Sequence, residues 1–187
     1  MKISFKQILA FLIMSFIPMV SVAQDNELDL ENTLYLELKD GRVVIKMYPE
    51  LAPNHVARIK ELTRQKFYDG LVFHRVLEGF MAQTGDPDGN GSGGSGKNID
   101  AEFSDTPHYK GMVSMARSDS VNSADSQWFI CLGYSPHLDG IYTLWGEVVS
   151  GMKYVDKIKK GVVPELTDPD KIITLRVAAD VEKDTKK

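Results

Sequence analysis

The chain has 187 residues, 43% of them hydrophobic and 26% charged, with a formal net charge of −4. That composition excludes fibrous and disordered classes and leaves room for one domain with a sizeable core. An acidic balance also argues against nucleic acid and anionic membrane surfaces as partners, because their phosphates would be repelled.

Lys2 and Lys6 precede an apolar run from Ile8 to Val20 that closes on Ser21-Val22-Ala23. Positive charge, a short apolar segment and then small residues read as a secretory signal peptide, cleaved after Ala23. The run is shorter than the roughly 18–20 apolar residues that span a bilayer, and it contains Pro18. A retained anchor is the alternative, but no stable membrane association is expected, and the reading is of an exported, periplasmic protein. Residues 1–23 carry two lysines and no acid, so their removal takes the formal charge from −4 to −6. With a single cysteine, Cys131, no intrachain disulfide can form; its apolar neighbours predict a buried packing role.

A polar lead-in covers 24–31. Residues 33–38 and 42–47 are β-prone runs around Asp40-Gly41 and predict a hairpin. Pro53 then opens a segment in which Val56, Ile59, Leu62 and Thr63 recur at helical spacing among charged residues, which predicts an amphipathic helix. Further strands are expected at 71–77, 80–84, 112–115, 127–132, 143–149 and 172–179, with a second helix at 152–160. The domain is expected to occupy 32–180, followed by a charged tail at 181–187. Eight short strands and two helices give a mainly β fold: a closed eight-stranded antiparallel β-barrel capped by two α-helices. A sandwich shares this strand pattern, whereas a doubly wound sheet would need strands alternating with long helices.

Gly89, Gly91 and Gly94 spell a G-x-G-x-x-G, but no strand precedes it and no helical period follows, so it reads as a flexible surface loop rather than a dinucleotide site. His55, His74, His108 and His137 show no metal-ligand spacing. No G-x-S-x-G elbow surrounds Ser114, Ser123 or Ser126, so nucleophilic hydrolysis has no residue set to carry it. Neither a metal nor a cofactor is expected.

The informative stretch runs from Phe73 to Asp86. If Glu78-Gly79 turns the chain, Arg75 and Phe80 approach one another while Met81 and Gln83 share one face of the second strand. Phe73-His74-Arg75-Val76, followed by Gly79-Phe80-Met81-x-Gln83-x-Gly85-Asp86, resembles the signature of the cyclophilin family of peptidyl-prolyl cis/trans isomerases. The resemblance continues through Gly91-Ser92-Gly93-Gly94, Val113-Ser114-Met115-Ala116, Ser126-Gln127-Trp128-Phe129-Ile130, Leu138-Asp139-Gly140 and Trp145-Gly146, and spans about residues 33–179. It implies that Arg75 is the catalytic arginine, that Phe80, Met81, Phe129 and Leu138 line a proline pocket, and that Gln83, Ala116 and Gln127 hold the peptide backbone. His137 and Tyr142 stand where the best-studied members carry tryptophan and histidine; both belong to the substrate-binding set implied here, and Tyr142 can still close the pocket. Arg117 replaces a common asparagine. The implied partners are proline-containing peptides and unfolded exported proteins, met by a monomer. Two other classes stay open on the residues alone: a proline-peptide-binding module without turnover, and a barrel that carries a ligand in its interior.

Overall fold

A computed structural model describes residues 29–185. The signal segment, residues 24–28 of the lead-in and the last two residues of the tail lie outside the described residues. After a 3-10 turn at Leu30–Asn32, nine strands follow in chain order: β1 (Thr33–Leu38), β2 (Gly41–Met47), β3 (Arg75–Leu77), β4 (Met81–Thr84), β5 (Met112–Met115), β6 (Trp128–Cys131), β7 (Leu144–Ser150), β8 (Gly161–Val162) and β9 (Thr174–Val177). Three helices accompany them: α1 (Pro53–Arg64), α2 (Met152–Val155) and α3 (Ala178–Thr185).

All nine strands join one antiparallel sheet in the order β8-β3-β4-β6-β5-β7-β2-β1-β9. The mainly β, antiparallel expectation therefore holds, and its closed eight-stranded detail does not: the sheet has nine strands and curls into a half-barrel with β8 and β9 as its ends. β8 has only two residues, too few for any alternation to appear in the sequence. The helix expected at 152–160 stops at Val155, because Lys157 and Ile158 bond back three residues instead of four. In the other direction, the strand expected at 172–179 gives way to α3. Ala178 and Ala179 favour helix, and the Asp180 carboxylate in the first turn suits the positive end of the helix dipole and takes two bonds from Arg64.

Strand alternation sorts the core. Leu34, Leu36 and Leu38 of β1 and Val43, Ile45 and Met47 of β2 point inward, where they meet Val56, Ile59 and Leu62 of α1. Trp128 and Trp145 pack edge to face at 5.8 Å and, with Tyr68 and Phe73, fill the interior. A ligand-carrying barrel would need that space empty. β6 is buried on both faces: Trp128 and Ile130 belong to the interior, while Phe129 and Cys131 form a second apolar cluster with Met81 and Leu138 on the outside of the sheet.

Candidate active site

The outer cluster is assembled by the β3–β4 hairpin. Leu77 pairs with Met81 and Arg75 with Gln83, leaving Glu78-Gly79-Phe80 as the turn. Gly79 occupies it at φ 71°, a left-handed conformation that glycine adopts without steric cost. With that register Val76 and Ala82 face the interior, and Arg75, Met81 and Gln83 face outward. The Phe80 ring folds back until the Arg75 guanidinium lies 5.9 Å from its centroid.

Met81, Phe129 and Leu138, exposed by 5% or less, form the floor of a cleft of about 350 Å³, and Phe80, Ala116 and Tyr142 form its walls. Phe129 and Tyr142 meet edge to face at 5.9 Å. Arg75 stands in this cleft with its Nη1 donating to Gln83 Oε1 at 3.3 Å. The bond starts a chain: Gln83 Nε2 donates to Gln127 Oε1 at 2.9 Å, and Gln127 Nε2 donates to the carbonyls of Gly91 and Gly93 at 3.0 and 2.8 Å. Because a guanidinium can only donate, it fixes the sense of every amide behind it.

Eight of the ten residues named from the sequence line this cleft: Arg75, Phe80, Met81, Gln83, Ala116, Phe129, Leu138 and Tyr142. Gln127 lines a second cleft of about 300 Å³ that shares Gln83, Gly91, Ala116 and Arg117 with the first. His137 is exposed outside both and meets the site through Phe80, whose ring lies 5.2 Å away. His74, Asn90, Arg117, Val162 and Val163 also line the first cleft. The two valines arrive with β8 and Asn90 with the glycine loop, pairings that no local pattern announces.

The glycine loop is held more firmly than the flexible segment expected. Asp86, fully buried, accepts from the backbone N–H groups of Asp88, Asn90 and Gly91. Burial alone would raise its pKa, but these bonds and nearby His74 outweigh it and hold the carboxyl below its ordinary range. Asp125 accepts from the N–H groups of Ser95, Gly96 and Lys97 and from the Ser95 hydroxyl. A Cβ at Gly93 would collide with Asp86, and one at Gly94 would come within 2.6 Å of Asp125.

A three-residue relay anchors the opposite wall. His108 Nδ1 and backbone N–H both donate to Asp139 Oδ1 at 2.8 Å, and Ser114 donates to His108 Nε2 at 2.8 Å. A carboxylate only accepts, which places the ring hydrogen on Nδ1 and leaves Nε2 to accept. This is the Ser-His-Asp set that motif reading did not find, yet Ser114 and His108 are both fully buried, so no substrate carbonyl can reach the hydroxyl. The relay ties β5 to the turn carrying Leu138 and Tyr142.

Residues 33–177 match the family model described as cyclophilin type peptidyl-prolyl cis-trans isomerase. The chain belongs to the cyclophilin family. It is 51% identical to a probable peptidyl-prolyl cis-trans isomerase of Brucella suis, over 82% of this chain and 86% of that one. It is 41% identical to peptidyl-prolyl cis-trans isomerase B of Bacillus subtilis, over 70% and 93%. Among solved structures, a cyclophilin from Hirschia baltica superposes with a TM-score of 0.74 at 28% identity, covering 82% of this chain and 76% of that one. A Cryptosporidium parvum cyclophilin type isomerase, crystallised in the presence of the dipeptide Ala-Pro, shares the fold with a TM-score of 0.71 at 23% identity, over 78% and 98%. This cyclophilin is accordingly a peptidyl-prolyl cis-trans isomerase, and the outer cleft is the place to look for its chemistry.

Proposed function

We propose that the cleft grips proline and that Arg75 lowers the barrier to rotation about the preceding bond in exported proteins folding in the periplasm. Such a bond resists rotation by about 18–20 kcal/mol because the imide nitrogen shares its lone pair with the carbonyl. At the twisted transition state the nitrogen becomes pyramidal and regains that pair, so a donor aimed at it binds more strongly there than in the planar ground state. The Arg75 guanidinium offers a rigid fan of donors, and its bond to Gln83 holds it in the cleft.

Bringing a process of tens to hundreds of seconds to milliseconds takes about 7 kcal/mol. A single charge-assisted hydrogen bond supplies only about 1.5–3 kcal/mol. The remainder is assigned to holding the ring against Phe80, Met81, Phe129 and Leu138 while Gln83, Ala116 and Gln127 fix the peptide backbone, with Tyr142 closing the wall. His137, on the rim, acts through Phe80. The observation that carries this reading is the Arg75 guanidinium standing over an apolar floor on the outside of the sheet. The Cryptosporidium cyclophilin, crystallised with Ala-Pro, supports a proline-containing substrate.

Exchange spectroscopy on a proline peptide, comparing wild type with Arg75→Ala, tests it. The variant should lose at least ten- to a hundredfold in kcat/KM, the equivalent of about 1.4–3 kcal/mol, with little change in peptide affinity. Wild-type exchange in the variant would refute the role.

A further inference from the structure

Six arginines occur in the chain, and their partners divide them. Arg42 pairs with Glu37, Arg58 with Glu61, Arg64 with Glu31 and Asp180, and Arg176 with Asp69. The other two, Arg75 and Arg117, have no carboxylate partner among the described residues, and both line the first cleft. No Asp or Glu lines it among the described residues. An acidic protein thus presents a cationic cleft.

Arg117 is built into place. Its guanidinium lies 4.7 Å from the Tyr142 ring centroid, Nε donates to the Ile141 carbonyl at 3.2 Å, and Nη1 donates to the carbonyls of Ser118 and Asp119 at 2.9 and 3.4 Å. These partners are neutral, so they orient the side chain without cancelling its charge, and Nη2 donates to none of them. Asp125 lines the neighbouring cleft, but its oxygens already take the N–H groups of Ser95, Gly96 and Lys97.

We propose that Arg117 makes this isomerase prefer peptides with a carboxylate side chain within two residues of the proline. The inference rests on the proline-binding reading of the cleft. Arg117 stands on the wall shared by both clefts, and an extended peptide advances about 3.3–3.6 Å per residue, so the first or second neighbour of a seated proline passes it. A carboxylate there meets an oriented donor whose ordering has already been met by the fold. Because the contact faces water, the preference is modest, about three- to fivefold, and it weakens as salt rises.

The test uses capped peptides in which Glu, Gln or Lys occupies each of the two positions on either side of one proline. Exchange spectroscopy gives kcat/KM, and chemical-shift titration gives Kd on the same samples. At low salt, Glu should exceed Gln about three- to fivefold in at least one position, with Lys below Gln. The Glu/Gln ratio should fall to about one in Arg117→Gln and at high salt, and Arg117→Lys should retain part of it. Equal values for Glu and Gln at every position, or a preference that survives in Arg117→Gln, would overturn the proposal. Should no peptide be isomerised, the Kd ratios still decide it, while the catalytic reading alone would fall.

Discussion

His74 lies behind the cleft, 3% exposed, with neither ring nitrogen hydrogen-bonded among the described residues. Burial pushes its pKa below the ordinary histidine value; Asp86 pulls the other way and Arg75 adds to the depression. His55 is depressed too, again by burial, against the raising effect of its bond to Glu102. A histidine whose folded pKa is lowered binds its proton more readily when unfolded. Its contribution to stability is whole above the unfolded value of about 6.5 and is lost as pH falls below it. The unfolding free energy from urea titrations should therefore drop between about pH 7 and pH 5, by at most about 1.4 kcal/mol per pH unit for each histidine. His74→Leu should flatten that slope, and an unchanged slope would show that His74 does not titrate there. Arginine keeps its charge throughout this range, so catalytic rate on the folded enzyme should stay level while stability declines. At this scale Arg75, Met81 and Gln83 were legible because strand alternation puts them on one face of a hairpin. His74 was not, since nothing in a lone histidine tells whether its ring finds partners.

The elements divide along the same physical line. β1 matches its expected bounds and β2 comes within one residue of them, because a tight turn and strict alternation are local properties. The short reach of α2, the two residues of β8 and the presence of α3 depend on contacts made elsewhere in the chain. The Ser114-His108-Asp139 relay is of that second kind, since β5, the segment before it and the turn beyond β6 meet only in the folded protein. Ser114 pairs directly with Phe129, so the relay links the strand partner of that floor residue to the turn bearing Leu138 and Tyr142. His108→Ala should leave Ser114 buried without that partner and cost about 1–3 kcal/mol in denaturant unfolding. Amide hydrogen exchange at Leu138, Ile141 and Tyr142 should quicken beyond that global loss, and equal quickening throughout the molecule would argue against a local anchor.

For the whole molecule, the family and the mainly β architecture were open to reading because several motifs recur in order over nearly the full domain. The way the sheet ends was not, since whether a curled sheet closes is decided by its two terminal strands. Export is a further whole-chain property: if residues 1–23 are a signal peptide, the protein recovered from the periplasm should begin at Gln24, and N-terminal sequencing of that fraction checks it. Recovery only from the cytoplasm with Met1 intact would exclude export.

Placing the cleft on the convex side of the sheet, with its interior filled, has a mechanical corollary. If the cleft grips proline as proposed, a polypeptide settles onto the groove sideways and leaves the same way, so neither of its free ends has to be threaded through anything. Bulky folded regions on both flanks of a target bond would then be no obstacle.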